Sequence, residues 1–318
     1  MSKSYLKQVE TLKSRFESEL EKFPLGKQWH YSERLYRTTG NKKYIKNIRK
    51  YWIQRTRSFH DLINALNDDS RQKTLGRKYV ESLKKYKSPR LQKRVPIYRE
   101  IPEFKYFQEL IWFLNRAKDY KIKKNFSPTL LKDTADKLKS INFREYFNNQ
   151  ILMKFDPVQT VNTLFFLKNL GIADYTTESL DLIKKLFESP KTREEYQNKL
   201  YSFTHIIISD SRYYQQFIDQ EKYSWIYNFL EDEIPDILKL KNNDIIAEIG
   251  LCYKLAKIEN ASLKKIKILI SNELDNQGGI LLRDKQEKSL EKIEHRNVLA
   301  ILLLSDLTTL YPGPDLNL

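Results

Sequence analysis

The sequence is poor in cysteine, glycine and proline. Cys252 is the single cysteine among 318 residues, which also include eight glycines and ten prolines. One cysteine excludes a disulfide within the chain and a zinc site built from several cysteines. Few turn-forming residues favour a helical protein over a β-sandwich or a barrel. A reducing, cytoplasmic location is the natural expectation, and secretion by a signal-independent route stays open.

Long apolar stretches and familiar nucleotide motifs are also missing. No window approaches the roughly 18 apolar residues of a membrane span, and residues 1–23 hold no apolar stretch of signal-peptide type. The motifs GxxxxGK(S/T), GxGxxG and GxSxG do not occur, which disfavours P-loop phosphoryl transfer and α/β-hydrolase chemistry. We therefore expect no cofactor, no metal ion and no membrane span.

Acidic residues are scarce in the first part of the chain. The net charge is +16, and residues 1–125 hold 32 Lys and Arg against 13 Asp and Glu, whereas residues 126–318 hold 25 against 28. This contrast predicts a basic N-terminal helical region, 1–125, followed by a second region, 126–318. Such asymmetry indicates an anionic partner, although a lysine-rich soluble surface explains it equally well.

What the chain does contain is helical periodicity. Apolar residues in 4–22 recur at steps of three and four, which predicts an amphipathic helix. Gly40 predicts a helix end, and Ser127 followed by Pro128 predicts a helix start. Further helices are expected at about 42–55, 58–66 and 74–86, and an irregular basic segment is expected to follow the last of these, up to residue 99.

Four strongly apolar helices are predicted in the second region, at 156–172, 200–214, 243–258 and 295–307. Their polar residues Asn162, His205 and Glu248 follow one another at intervals of 43 residues, and Asn297 comes 49 residues after Glu248. Amphipathic helices lie between them, so the pattern predicts an all-α protein of repeated helical hairpins. We expect a closed α/α toroid whose inner helices line a cavity, with an open α-solenoid as the alternative.

Two phrases resemble toroid families. HYSERLYRTTGNKKYIK, residues 30–46, resembles the A-x-RLY-x-x-TGD-x-KYL phrase of (α/α)6-barrel sugar-processing enzymes such as epimerases and unsaturated-glucuronyl hydrolases. NQGGILLRD and HRNVLAILLLSDL resemble a repeat of terpenoid-cyclase-like toroids. Both resemblances imply a toroid fold. Within the first phrase His30 and Glu33 share a helix face, which favours a capping or ion-pair role over a ligand pair.

The polar residues on the apolar helices are the candidate site. A polar side chain near the end of a buried helix must be hydrogen-bonded or face a wet cavity. The predicted catalytic residues are His205, Glu248 and His295, and the predicted ligand-binding residues of the same site are Gln159, Asn162, Asp210 and Asn297. Hydrogen-bonded core residues are the competing interpretation. A metal set of His205, Asp210, Glu248 and His295 is a weaker one.

These observations favour a cavity-bearing toroid that binds or acts on a polar or anionic ligand, such as a glycan, by acid–base chemistry. The predicted substrate-binding residues also include Lys84, Lys85, Arg90, Lys93 and Arg94 in the basic segment 71–99. A basic cover over this ligand is one role for the segment, and a solvated face or a surface for an acidic protein or nucleic acid explains it as well. The alternative is a non-enzymatic α-solenoid interaction module whose basic N-terminal region binds an acidic protein or nucleic acid. The sequence leaves open whether the chain is an enzyme.

Overall fold

The structure of the protein is a computed structural model. It describes residues 3–85, 89–122, 126–282, 287 and 289–318, with the side chains of residues 3, 4, 89 and 90 left out. All regular secondary structure in these residues is helical, so the all-α prediction is confirmed.

Seventeen α-helices and three short 3-10 helices make up the described chain. The α-helices are α1 (Lys3–Glu19), α2 (Leu25–Thr39), α3 (Ile45–Asn64), α4 (Asp69–Leu83), α5 (Pro89–Glu100), α6 (Pro102–Asp119), α7 (Pro128–Lys139), α8 (Arg144–Phe147), α9 (Gln150–Phe155), α10 (Pro157–Leu170), α11 (Thr176–Leu186), α12 (Arg193–Asp210), α13 (Ser224–Asp232), α14 (Ile234–Lys239), α15 (Asn243–Leu255), α16 (Ala261–Asn276) and α17 (Leu290–Leu304). The 3-10 helices are Leu20–Lys22, Lys42–Tyr44 and Glu221–Tyr223.

The chain forms two compact units that interleave along the sequence. Unit 1 consists of residues 1–52 and 210–314, and unit 2 of residues 53–209 and 315–318. The charge distribution suggests a division at residue 125. This division rests on composition and not on packing, and it stays a prediction.

Unit 1 is built around α17. This helix packs against α1, α2, α15 and α16, and all residues from Val298 to Leu304 are buried. Neighbours on every side explain why the second half of α17 is apolar all round, since a helix that faces solvent on one side keeps a polar face. The first helix of the chain, α1, therefore packs against the last two, α16 and α17.

Unit 2 has α6 as its most enclosed helix. It packs against α4, α5 and α10, and large side chains such as Phe104, Tyr106 and Phe113 are fully buried on it. Phe113 stacks on Phe59 of α3, with ring centroids 3.8 Å apart. Aromatic side chains therefore supply much of the apolar area that unit 2 buries.

The structure confirms two predicted helix ends. The side chain of Ser127 accepts a hydrogen bond from the Leu130 amide at 3.0 Å, and Pro128 is the first residue of α7. Gly40 ends α2 in the left-handed conformation, with φ at 66°, which glycine adopts at little cost. No helix within the described parts of the chain is long and apolar enough to cross a membrane.

Two predictions about helices are wrong. The segments 42–55 and 58–66 form the single helix α3, because no glycine or proline interrupts them and the hydroxyls of Thr56 and Ser58 bond back to helix carbonyls. The basic segment is not irregular at residues 89–99, since residues 89–100 form α5, and residues 86–88 lie outside the described residues. Pro89 is the first residue of α5, where a missing N–H costs nothing, and Pro96 lies inside the helix.

Candidate functional site

Three helices of unit 1 bring two histidines and three carboxylates together. The predicted residue His295 follows Glu294 on α17, which packs against both α2 and α15. Helix α2 contributes His30, and α15 contributes Asp244 and Glu248. We call these five residues the histidine-pair site.

The centre of the site is a contact between His30 and Glu294. His30 Nδ1 lies 2.6 Å from Glu294 Oε1, and the two side chains are 17% and 0% exposed. A carboxylate only accepts hydrogen bonds, so His30 donates its Nδ1–H and keeps a lone pair at Nε2. Lys27 Nζ donates to the second oxygen, Glu294 Oε2, at 3.3 Å. Both oxygens of the buried carboxylate therefore have a partner.

The protonation states of this pair follow from burial and nearby charge. Burial lowers the pKa of His30 to about 4, with a further contribution from the charge of Arg34, although Glu294 acts in the opposite direction. Burial acts to raise the pKa of Glu294, but His30 together with Lys27 and Arg34 lowers it to about 2. At neutral pH the pair is thus a neutral imidazole hydrogen-bonded to a carboxylate.

His295 is the more accessible ring of the pair. Its centroid lies 5.3 Å from that of His30, with 30° between the ring planes, and its side chain is 39% exposed. Nδ1 is 3.5 Å from Asp244 Oδ1, and Nε2 is 3.9 Å from Glu248 Oε1. Both distances exceed hydrogen-bond length, so either ring nitrogen can still bond to a water molecule or a ligand.

Arginine side chains hold the edges of the site in place. Arg296 bonds to Asp244 Oδ2 at 2.9 Å and to the carbonyl of Leu282 at 2.8 Å. Arg34 is buried on α2 and donates to the carbonyl of His30 at 3.3 Å. With Lys27, three cations thus lie beside the three carboxylates, so the site can accept polar or anionic groups.

This arrangement is suited to acid–base chemistry. A neutral imidazole with a carboxylate behind its Nδ1–H can take a proton at Nε2, because the carboxylate stabilises the imidazolium that forms. His30 and Glu294 have this geometry. His295, which is more exposed, is placed to exchange protons with a ligand or with solvent.

Asn297, a predicted ligand-binding residue, holds the backbone before α17. Its Oδ1 accepts from the Leu281 amide at 2.8 Å, and its Nδ2 donates to the carbonyls of Leu281 and Ile293, both at 2.9 Å. These bonds use both amide hydrogens. The side chain is fully buried, and a role in ligand binding stays a prediction.

Asp210, the fourth predicted residue of unit 1, forms an ion pair with Lys222 at 2.5 Å. Its Oδ2 also accepts from the hydroxyl of Tyr223 at 3.1 Å. These contacts fasten the 3-10 helix Glu221–Tyr223 to the end of α12. A ligand would have to compete with Lys222 for this carboxylate, and its predicted role is untested.

Two further predicted residues meet in unit 2. His205 Nδ1 lies 2.9 Å from Asn162 Oδ1, and the Ser209 hydroxyl donates to the same oxygen at 2.8 Å. Residues at matching positions of α10 and α12 therefore touch, as the interval of 43 residues suggests. Gln159 is exposed on α10. Because Glu248 and His295 belong to unit 1, the convergence of all the predicted residues on one cavity stays a prediction.

The predicted basic cover is largely engaged in ion pairs. Lys84 pairs with Glu81 and Lys93 with Glu194, and Arg94 pairs with Asp156 at 2.9 Å and is buried. Lys85 is exposed and has a contact of its own. The side chain of Arg90 lies outside the described residues. A role for these five in ligand binding stays a prediction.

Sequence reasoning missed His30, Glu294 and Asp244. The signal for Glu294 is its position directly before His295, in the polar first half of a helix whose second half is wholly apolar. The sequence suggests Glu33 as the partner of His30, but Glu33 forms a buried ion pair with Arg37 at 3.0 Å. His30 and Glu294 are 264 residues apart, and a single sequence contains no pattern that joins them.

Histidine and carboxylate ligands suggest a metal site, but the geometry does not provide one. Within the described ranges, no three side chains of His, Cys, Asp or Glu form a group that could hold a metal ion. The weaker interpretation, a set of His205, Asp210, Glu248 and His295, therefore has no support from the described residues.

The chain belongs to a protein family. A family model described as Domain of unknown function (DUF3541) matches residues 6–318, which is almost the whole chain. No curated protein and no solved structure matches it. The family description states no activity, so function must be inferred from the geometry of the site.

Proposed function

We propose that this member of the DUF3541 family binds or acts on a polar or anionic ligand, such as a glycan, at the histidine-pair site. The observation that carries the proposal is the hydrogen bond between His30 and the fully buried Glu294, with the accessible ring of His295 alongside. Perturbed, buried titratable groups next to an exposed one are typical of functional sites.

The chemistry would begin at His30. Its Nε2 takes a proton from a hydroxyl group of the ligand or from a water molecule, and Glu294 stabilises the imidazolium through Nδ1–H. The low pKa of His30 keeps this base unprotonated at neutral pH. His295, near Asp244 and Glu248, returns a proton to the ligand or holds a polar group of it.

The ligand class follows from the neighbours of the site. Lys27, Arg34 and Arg296 balance the charge of its three carboxylates, so the site does not repel a ligand that carries carboxylate as well as hydroxyl groups. His30 is also the first residue of the phrase that resembles sugar-processing toroid enzymes. Together these features favour an anionic glycan, such as one that contains a uronic acid.

The small number of histidines makes a direct test possible. The chain has four, so ring signals from histidine-labelled protein can be assigned one by one with single substitutions. We expect uronic-acid oligosaccharides to shift the signals of His30 and His295 with one shared dissociation constant. The exposed His60, which packs on Phe126, should not respond. Shifts confined to His60 or His205, or none with any oligosaccharide, would overturn the proposal.

Variants separate binding from folding. His30→Gln and Glu248→Gln should abolish ligand binding or turnover while the helical circular dichroism signal is kept, and His60→Gln should behave as the unmodified protein does. His205→Ala tests whether the group in unit 2 takes part in the same site. If His30→Gln stays folded and binds normally, His30 has no role in the function.

We also propose that the helical hairpins close as an α/α toroid and do not form an open solenoid. The recurrence of buried helices near 43 residues supports closure, as does the packing of α1 against α16 and α17. An experimental structure tests this, because a toroid encloses a central cavity that an open solenoid lacks.

A cytoplasmic location belongs to the same proposal. Cys252 is buried, and it is the single cysteine of the sequence, as is common in proteins of reducing compartments. Fractionation of cells that produce the tagged chain tests the location, and recovery from the medium or the envelope would contradict it.

A further inference from the structure

Unit 1 has a polar pocket whose lining residues do not include those of the histidine-pair site. It is an open pocket of about 290 Å³ beside α13, the C-terminal end of α15 and the start of α16. Glu221, Ser224, Asn228, Glu231, Tyr253 and Asn260 are among its lining residues. This volume is at the lower end of ligand pockets and suits a molecule about the size of one sugar ring.

The charge of this pocket is negative. It is lined by the carboxylates of Glu221 and Glu231, and none of its described lining residues is basic. Neither carboxylate forms an ion pair with a described residue, since Glu221 accepts from the Gln220 amide at 3.5 Å and Glu231 from neutral groups only. The pocket therefore repels anions and attracts a cationic group.

Glu231 is held in a fixed position. Its Oε1 accepts from the side-chain amide of Asn260, and its Oε2 accepts from the Ser262 hydroxyl at 2.8 Å. Asn260 is itself fixed, because its Oδ1 caps α16 at the Leu263 amide, 2.8 Å away. A carboxylate that neutral donors orient keeps its full charge for a ligand.

Tyr253 provides a buried hydroxyl beside Glu231. Its side chain is fully buried and lines the pocket, and its hydroxyl makes no hydrogen bond of standard geometry within the described chain, although Glu231 lies close by. A buried hydroxyl without a well-formed hydrogen bond is costly, and a ligand hydroxyl can complete its bonding. Asn228 and Ser224 add exposed hydrogen-bonding groups at the rim.

From these contacts we infer that the pocket binds a small hydroxylated molecule that carries a protonated amine, of the amino-sugar class. The amine pairs with Glu231 and Glu221, and a ligand hydroxyl bonds to the hydroxyl of Tyr253. This ligand differs in charge from the anionic one proposed for the histidine-pair site, and the inference does not depend on that proposal.

Three probes with the same ring and different charges test the inference. Titration calorimetry of the full chain with glucosamine, glucose and glucuronate should give the order glucosamine, then glucose, then glucuronate, with glucosamine at least about tenfold tighter than glucose. Added salt should weaken the binding of glucosamine and not that of glucose. Equal affinity for glucuronate, or no saturable binding of glucosamine, would overturn the inference.

Substitutions place the ligand in the pocket. Tyr253→Phe removes this hydroxyl without changing the ring and should weaken glucosamine binding about 2- to 10-fold. Glu231→Gln should remove the preference for glucosamine over glucose, and Glu221→Gln checks the same point at an exposed residue. His30→Gln should leave glucosamine binding unchanged, which separates this pocket from the histidine-pair site. Unchanged binding in Tyr253→Phe and Glu231→Gln would contradict the inference.

Discussion

At the scale of single residues, the His30–Glu294 pair makes stability depend on pH. The folded protein protonates His30 at about pH 4, whereas the ordinary pKa of histidine is 6.5. Between these values the unfolded chain binds one proton more than the folded chain. The free energy of unfolding should therefore fall with decreasing pH by about 1.4 kcal/mol per unit, or about 3 kcal/mol across this window.

We expect His30→Gln to remove this dependence. Urea denaturation at several pH values between 4 and 6.5 should give a flatter profile for the variant than for the unmodified protein. His60→Gln, which changes an exposed histidine, should keep the original slope. Protonation of Glu294 lowers the free energy of unfolding further only below about pH 4.5, because the pKa of Glu294 is lowered to about 2. A slope unchanged in His30→Gln would show that His30 does not titrate as described.

The sequence predicts contacts between residues on successive buried helices better than contacts between distant segments. Asn162 and His205 touch, and Glu248 lies near His295, because helices that follow one another in a repeat pack side by side. His30 and Glu294 could not be paired in this way. Their contact depends on the packing of α2 against α17, from opposite ends of the chain.

At the scale of helices, Gly76 allows α4 and α6 to pack closely. A Cβ atom at this position would lie 1.8 Å from the carbonyl oxygen of Pro102. Gly76→Ala should therefore lower the free energy of unfolding by about 1–3 kcal/mol or more, because backbone must move. Gly26→Ala is the matched control, since nothing lies within 4 Å of a Cβ there. Alanine at Gly26, inside α2, should stabilise by about 0.5–1 kcal/mol.

Thermal unfolding of these two variants measures the effect, and they should shift the midpoint in opposite directions. Equal shifts would mean that α4 and α6 are farther apart than the structure places them. The close approach could not be inferred from sequence, because an isolated glycine in a helix is also compatible with an open surface.

Lys254 fixes the C-terminal end of α17. It is buried on α15, and its Nζ donates to the carbonyls of Leu302 at 2.6 Å, Leu303 at 3.0 Å and Ser305. These carbonyls have no partner within the helix. Lys254→Met leaves them without this donor and should cost about 2–3 kcal/mol in the free energy of unfolding.

The measurement is urea denaturation at pH 6. Burial lowers the pKa of Lys254 to about 7, so the side chain carries its charge at this pH. Lys264→Met, an exposed position on α16, should change stability by no more than about 0.5 kcal/mol. If Lys254→Met lowers the free energy of unfolding as little as Lys264→Met does, Lys254 does not stabilise the C-terminal end of α17.

At the scale of the whole molecule, the amount of positive charge can be read from the sequence, but the positions of the unpaired cations cannot. The excess of Lys and Arg in residues 1–125 is a matter of counting. Which cations are neutralised depends on the fold, and Lys84, Lys93 and Arg94 have carboxylate partners. Such ion pairs join residues that no local pattern connects.

The exposed side of α4 carries three cations of the other kind. Lys73, Arg77 and Lys78 are exposed and have no ion-pair partner in the described chain. If the basic region binds a polyanion, as in the non-enzymatic alternative, these three residues should matter more than the paired ones. Counterion release then makes affinity fall steeply with salt concentration.

Single-stranded DNA is a suitable probe for this alternative. Fluorescence anisotropy between about 50 and 200 mM salt should give a slope of log affinity against log salt that becomes smaller by about 2 when Lys73, Arg77 and Lys78 are changed to Gln. Changing the exposed residues Lys241, Lys264 and Lys265 to Gln removes the same net charge elsewhere and should leave the slope nearly unchanged. Equal effects of the two triple variants would mean that net charge, and not a surface on α4, holds the DNA. Affinity that does not change with salt would exclude a polyanion-binding role for this surface.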